Sequence, residues 1–181
     1  IDGLSLRGSV AYNNAKFDEF LSGCYVGQTV AGGCNVTFDT ARGVFLEQDL
    51  SGENLHRAPE YVFTAGFVYA GTFNNGIGYD FSMTAFNSDE YSGNLRQSPQ
   101  DVQDSFTKVN SALRFYSPED RWELAFVGYN LTDKYTFSRS GAVTLTGGNS
   151  GTPAGFLADR SGVISEGREI QMKLTYRLAA Q

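Results

Sequence analysis

The stretch Glu169-Ile170-Gln171-Met172-Lys173-Leu174-Thr175-Tyr176-Arg177-Leu178 alternates strictly between polar and apolar side chains. In a β-strand, successive side chains point to opposite faces, so a period of two gives one apolar face and one polar face. A helix would instead scatter Ile170, Met172 and Leu174 around its circumference. The stretch therefore predicts a strand whose two faces meet different surroundings.

Five earlier stretches repeat this alternation less strictly. They are residues 3–20, 61–69, 78–91, 105–116 and 121–135. A tilted strand that crosses a membrane needs about 9 to 11 residues, whereas a typical strand of a globular protein has about 5 to 6. Most of the stretches reach the greater length. We expect an all-β chain, an antiparallel meander of about six long strands that forms a segment of a large transmembrane β-barrel.

The connections between these stretches alternate between long and short. Residues 71–76 and 117–120 are short turns, whereas residues 21–57, 92–104 and 136–166 form long loops rich in Gly, Ser, Thr and Asn. Outer-membrane barrels have long extracellular loops and short periplasmic turns, while globular domains keep most connections short. The three long loops therefore favour the barrel over a soluble sheet.

Aromatic residues lie near the predicted strand ends. An aromatic girdle at the lipid–water interface would account for them, and so would ordinary cross-strand packing. These residues are Phe17, Phe20, Tyr61, Tyr69, Tyr91, Tyr116, Trp122, Tyr135 and Tyr176. We favour the girdle.

In lipid, every backbone N–H and C=O must be paired within the protein, so a membrane sheet has to close. Closure turns the polar faces inward. The basic residues of those faces are then candidates to face the lumen, whereas in a soluble sheet they would be solvated: Arg7, Lys108, Arg114, Lys173 and Arg177. Six strands are too few, because the smallest barrels have eight. We expect either that further strands precede Ile1 or that copies associate through their open sheet edges.

The charge and the motifs exclude several classes of function. A net charge of −6 and a pI near 4.7 argue against nucleic-acid binding, which needs a basic surface. Cys24 and Cys34 would form a disulfide in an oxidising compartment and stay free thiols in a cytosolic protein; the loop context favours the disulfide. His56 has no neighbouring ligand, and no nucleophile, base and orienter come together. We expect neither an enzyme, nor a metal site, nor a cofactor.

Four strings in the chain resemble the C-terminal region of TonB-dependent outer-membrane receptors. Residues 2–17 are similar to an upward strand of that family, and residues 50–61 to its return into the next strand. Residues 122–135 are the most specific match, with a strand end formed by Asn130, Leu131, Asp133 and Tyr135. Residues 167–178 resemble the closing strand. The loop around the two cysteines resembles, more weakly, receptors of sphingomonad-like bacteria.

The resemblance implies that residues 1–181 are one C-terminal barrel segment in the outer membrane, without the plug domain and the earlier strands. The parent protein would bind a scarce nutrient, such as a siderophore or a glycan, at extracellular loops and import it with energy from the TonB complex. The chain departs from the family at its end, where Leu178 replaces the usual aromatic and Ala179-Ala180-Gln181 follow. Alternatives are a receptor-derived sheet that self-assembles as a structural or filamentous protein, and a porin-like barrel.

Overall fold

The computed structural model describes residues 2–147 and 156–178, and within these ranges the fold is all-β. Its thirteen strands are β1 Leu4–Tyr12, β2 Leu21–Gly23, β3 Val36–Asp39, β4 Val44–Asp49, β5 Tyr61–Thr72, β6 Gly78–Ser88, β7 Tyr91–Ser92, β8 Val102–Gln103, β9 Phe106–Tyr116, β10 Trp122–Tyr129, β11 Phe137–Ala142, β12 Arg160–Ile164 and β13 Glu169–Tyr176. One short 3₁₀ turn, Pro99–Asp101, precedes β8. No helix in the described ranges is long and apolar enough to cross a membrane.

Six of the strands form one antiparallel sheet in the order β1-β5-β6-β9-β10-β13. Each strand pairs with the next long strand along the chain, so the sheet is a meander. Both features confirm the predicted antiparallel meander of about six long strands. The outermost strands, β1 and β13, each pair on one side only within the described residues, so the sheet is open.

The strand register gives the sheet one apolar face. A row of directly opposed residues crosses all six strands, and it consists of Leu4, Tyr69, Phe81, Leu113, Phe126 and Met172. The next row on this face contains Leu6, Phe67, Met83 and Ile170. Directly opposed residues point to the same side, so these rows form a continuous apolar face. Leu6, Ile170 and Met172 are 70% exposed or more.

The opposite face carries more polar and small side chains than the apolar face. One of its rows contains Arg7, Gly66, Thr84 and Asn110, and another contains Ala70, Asp80, Arg114, Ala125 and Lys173. Neither face is covered by a second layer: the buried hydrophobic residues among those described are Cys34, Leu50, Ala125 and Ala158.

Three of the predicted strands were drawn too long, and one of them, β6, ends at Ser88 rather than at residue 91. β1 ends at Tyr12 rather than at residue 20, and Phe17 and Phe20 stack on each other at 4.4 Å in the connection that follows. β10 ends at Tyr129 rather than at residue 135. The chain turns there because Asn130 and Asp133 have φ of 46° and 52°, outside the strand region.

The three long connections contain short sheets that the sequence did not predict. β2, β4 and β3 lie in the first connection, β7 and β8 in the second, and β11 and β12 in the third. All three connections leave the same end of the meander, which we call the loop end. The opposite end, with the turns at 73–77 and 117–121, is the turn end.

Some predictions fall partly outside the described residues. The third predicted loop includes residues 148–155, and the predicted chain ends include Ile1 and Ala179-Ala180-Gln181; all of these lie outside the described ranges.

The aromatic residues predicted as a girdle occupy several environments. Tyr61 is opposed to Tyr12 at the loop end with ring centroids 5.0 Å apart, and Tyr69 lies 6.1 Å from Tyr79 on the neighbouring strand. Tyr116, by contrast, lies opposite Gly78 on the polar face. That position corresponds to cross-strand packing.

Candidate functional site

The three long connections pack against one another at the loop end. Gln48 of β4 donates a hydrogen bond to the carbonyl of Arg96 at 2.8 Å, and so joins the first connection to the second. Asn94 donates to the carbonyl of Ser140 at 2.9 Å, which joins the second to the third. The Tyr91 hydroxyl also donates to the carbonyl of Phe137 at 2.6 Å. Burial of this hydroxyl raises the pKa of Tyr91.

A cavity of about 200 Å³ lies where the three connections meet. Each connection contributes to its lining, which consists of Tyr25, Val26, Asn94, Arg96, Asp101, Gly141, Ala142 and Arg160. Within the described residues, this cavity combines all three loops with two basic side chains. We therefore regard it as the candidate binding site.

Asp101 and Arg160 form the fixed wall of the cavity. The side chain of Asp101 is fully buried, and its carboxylate accepts a hydrogen bond from Arg160 Nε at 3.1 Å and further ones from Arg160 Nη2 and the Ser140 hydroxyl. The backbone of Asp101 is held too, because Gly93 donates to its carbonyl at 2.7 Å. A buried carboxylate persists only when it is paired and hydrogen-bonded, as it is here.

Arg160 keeps unused hydrogen-bonding capacity. Its Nη1 is buried and has no partner among the described residues. A buried donor without a partner costs about 1–3 kcal/mol. Burial also lowers the pKa of Arg160. The guanidinium therefore lies in surroundings that favour further negative charge nearby.

Arg96 lies across the cavity and is exposed. Its side chain forms no ion pair with any described carboxylate. It packs beside Gly23, where an added Cβ would lie 3.8 Å from Nε. Its backbone N–H donates to Asn94 Oδ1 at 2.9 Å, which fixes the chain at this residue.

The predicted disulfide residues hold one part of this lining. Cys24 and Cys34 lie at disulfide distance, with Cα atoms 5.5 Å apart. The backbone N–H of Cys24 donates to the carbonyl of Leu46 at 3.0 Å, which ties the segment to β4. Tyr25 and Val26, which line the cavity, follow Cys24 directly, so the pair restricts their position.

The residues of the predicted strand-end motif come together with the start of β13. Asn130 donates to the carbonyl of Glu166 at 3.1 Å, and Asp133 Oδ1 accepts from the backbone N–H of Arg168 at 2.9 Å. Tyr135 packs against Gly167, and Leu131 against Gly128. The arrangement joins the end of β10 to the beginning of β13, so its evident role is to position strands.

The five basic residues predicted to face a lumen all project from the polar face of the sheet or from its continuation. Arg7 donates to the Thr84 hydroxyl at 2.7 Å, and Arg114 Nε lies 3.0 Å from Asp80 Oδ1. Arg177 donates to the carbonyl of Asp120 at 2.9 Å. Lys173 lies opposite Ala125. None of these four lines the cavity.

Lys108, the fifth, takes part in a compact polar cluster. Its Nζ lies 2.9 Å from the Thr136 hydroxyl and 2.7 Å from the Ser165 hydroxyl. A lysine beside a serine can be nucleophilic machinery, but Ser165 Oγ here also accepts from the backbone N–H of Thr136 at 3.1 Å. The cluster lines none of the cavities described above, so it acts as a structural tie between β9 and the third connection.

Two other sequence features stay isolated. His56 Nδ1 is buried without a hydrogen-bond partner in the described ranges. Within those ranges, no group of three or more His, Cys, Asp or Glu side chains could hold a metal ion.

Sequence reasoning missed Asp101, Arg160 and Arg96, the charged residues of the cavity. Asp101 and Arg160 are 59 positions apart and lie in different connections. No local spacing links them, so only the folded arrangement of the loops brings them together.

Comparison with known proteins identifies no relative: no family model, curated protein or solved structure matches this chain.

Proposed function

We propose that this chain supplies six consecutive strands of the wall of an outer-membrane β-barrel in a Gram-negative cell, with its long connections outside the cell. The parent protein is a receptor of the TonB-dependent type that imports a small nutrient. The observation that carries the proposal is the row of six directly opposed apolar residues from Leu4 to Met172. This apolar surface crosses the whole sheet, and no other described segment covers it.

Lipid provides a suitable partner for that surface. In water, a continuous apolar patch of this extent drives aggregation, because each square ångström removed from water gains about 25 cal/mol. Acyl chains remove the same surface from water without any second protein layer. The two faces of the sheet then match the two sides of a barrel wall, which is apolar outside and polar inside.

The length of the strands fits a membrane. β6 has 11 residues, and at about 3.3 Å per residue it spans about 36 Å. A tilt of about 45° reduces this to about 25 Å across the membrane, the height of the apolar band of a barrel. The apolar face also ends near the loop end, where Asn87 and Thr107 are opposed and hydrogen-bonded at 3.0 Å.

The open edges of the sheet need partners in lipid. Within the described residues, β1 and β13 each leave one side unpaired, and each unpaired backbone group costs free energy in hydrocarbon. In this proposal, other strands of the same polypeptide pair with both edges and close the barrel. Arg7, Lys108, Arg114, Lys173 and Arg177 then face the lumen, where a plug domain contacts the wall and transmits energy from the TonB complex.

Spin labels on neighbouring strands test the orientation of the two faces. Cysteines replace Leu113 and Phe126 on the apolar face, and matched cysteines replace Ala112 and Val127 on the polar face. The full-length protein is labelled with a nitroxide and reconstituted in liposomes. We expect labels at the first two positions to collide more often with oxygen, which is soluble in lipid. Labels at the matched positions should collide more often with a water-soluble nickel chelate.

Equal accessibility to both reagents at all four positions would refute the proposal. It also fails if the labels at 113 and 126 are shielded from both reagents, because a second protein layer then covers the apolar face.

The open edges also support a second candidate, a structural protein in which copies of the sheet associate edge to edge through β1 and β13. The native mass distinguishes the two. A single polypeptide several times larger than 19.7 kDa supports the receptor, whereas ordered polymers of a 19.7 kDa chain support the structural protein.

A further inference from the structure

We propose that the cavity at the loop end binds the anionic oxygen group, a carboxylate or a phosphate, of a small molecule that arrives from outside the cell. Arg96 makes the direct contact. This inference rests on the proposed receptor function and deepens it, because it names the chemical class of the ligand.

The cavity is a built feature and not a gap between mobile loops. Its three parts are cross-linked through side chains with low exposure. Gln48, which is 5% exposed, donates to the carbonyl of Arg96 and also accepts from Gln28 Nε2 at 2.8 Å. Asp101 is fully buried between Gly93, Ser140 and Arg160. A pocket with so many fixed contacts presents its lining groups in defined positions, as binding sites do.

The charges of the lining favour an anion. The cavity contains two guanidinium groups, of Arg96 and Arg160, and one carboxylate, of Asp101. Asp101 is already paired with Arg160, so the positive charge of Arg96 has no ion-pair partner among the described residues. This local excess occurs in a chain whose net charge is −6. The whole chain is negative and does not attract anions, so the attraction would come from the positive charge in the cavity.

The remaining hydrogen-bonding groups favour an acceptor ligand. The oxygens of Asp101 are occupied by Arg160 and Ser140. The side chain of Asn94 is occupied at both ends, by the N–H of Arg96 and by the carbonyl of Ser140. Arg96 also lines the cavity, its guanidinium has only donors, and no described residue accepts a hydrogen bond from it. Its planar fork matches two oxygens of a carboxylate or a phosphate.

The size of the cavity limits what it can hold. At roughly 30 Å³ per water molecule, about 200 Å³ corresponds to roughly six waters. One acid group with its nearest carbon atoms fits in this space, and a whole siderophore or oligosaccharide does not. The cavity therefore recognises an acidic group of the ligand, and the rest of the molecule lies outside it.

The test uses the full-length protein in detergent and isothermal titration calorimetry with three probes: inorganic phosphate, citrate, and glucose as a neutral control. We expect phosphate and citrate to bind and glucose not to bind. Arg96→Gln should weaken anion binding by at least about tenfold, which corresponds to about 1.4 kcal/mol. Arg96→Lys should retain part of the affinity because it keeps the charge. Arg42→Gln is the matched control, since Arg42 is 74% exposed in the first connection and lines no part of the cavity.

The inference is overturned if neither anion binds, or if Arg96→Gln and Arg42→Gln reduce binding equally. Arg96 is exposed, so Arg96→Gln should fold. The accessibility of spin labels at positions 112 and 113 in that variant verifies this. If the spin labels show the expected accessibility pattern but no anion binds, the anion-binding inference is wrong and the barrel proposal stands. If anions bind but the accessibility pattern is not found, the barrel proposal is wrong and the cavity is still an anion site.

Discussion

Arg114 and Asp80 face each other across neighbouring strands on the polar face, with Arg114 Nε 3.0 Å from Asp80 Oδ1. The Asp80 side chain is only 14% exposed, while that of Arg114 is 47% exposed. A second ion pair, between Arg121 and Glu119 at the turn end, is shorter at 2.7 Å, but both of its side chains are more than 60% exposed. A comparison of the two coupling energies therefore separates the effect of distance from the effect of burial on the strength of an ion pair.

We predict that the longer of these two pairs contributes more to stability. The coupling energy between Asp80 and Arg114 should be about 0.5–1 kcal/mol, while the exposed pair should couple by less than about 0.3 kcal/mol, because solvent screens exposed charges. Double-mutant cycles with Asp80→Asn, Arg114→Gln, Glu119→Gln and Arg121→Gln, followed by urea unfolding in detergent, measure both. A larger coupling in the Arg121 pair would contradict the prediction.

Gly78 should not tolerate a side chain. It is buried opposite Tyr116 on the polar face, and an added Cβ would lie 2.1 Å from the ring. Gly78→Ala forces the ring to move, which we expect to cost about 1–3 kcal/mol. Gly8→Ala is the matched strand control, because the nearest atom to its added Cβ is 3.6 Å away. The midpoint of thermal unfolding should fall for Gly78→Ala and stay almost unchanged for Gly8→Ala; equal shifts would contradict the assigned packing of Tyr116.

The cysteine pair should stabilise the first connection and leave the meander unaffected. Cross-linking residues ten positions apart restricts a short loop, which typically contributes roughly 2–3 kcal/mol. In the variant Cys24→Ser/Cys34→Ser, amides of residues 24–35 should exchange roughly ten- to a hundredfold faster. Those of β9 and β10 should be unchanged. Hydrogen exchange followed by mass spectrometry measures both regions, and unchanged exchange at 24–35 would contradict the prediction.

The sequence predicted the meander because its determinants are local. Alternation along each strand, as from Ile170 to Leu178, sets which side chains share a face, and the short turns at 73–77 and 117–121 leave neighbouring strands few alternatives. The strand ends were less predictable. At Asn130 the backbone adopts a positive φ, and this conformation ends the strand before the predicted boundary at residue 135.

The cavity could not be predicted for a different reason. Arg96, Asp101 and Arg160 lie in connections with no periodic pattern, and their contacts depend on how three loops pack together. An acidic residue in a polar loop, such as Asp101, normally lies in solvent. Its complete burial follows from Arg160, which the sequence places 59 positions away.

Asn130 should contribute most to the junction between β10 and β13. It is 6% exposed, adopts φ of 46°, and donates from its side chain to the carbonyls of Lys134 at 3.0 Å and Glu166 at 3.1 Å. Asn130→Ala loses these bonds and puts a less tolerant residue in the left-handed region. We expect a loss of roughly 2–4 kcal/mol in the free energy of unfolding.

Two further variants separate the causes of this loss. Asn130→Gly also loses the side-chain bonds, but glycine adopts a positive φ readily, so it should be less destabilising than Asn130→Ala by about 1 kcal/mol. Asn74→Ala, at an exposed position of the turn end, should change stability by less than about 0.5 kcal/mol. Urea unfolding of the three variants in detergent gives the comparison. If Asn130→Ala is as mild as Asn74→Ala, the hydrogen bonds of Asn130 do not hold the start of β13 against the end of β10.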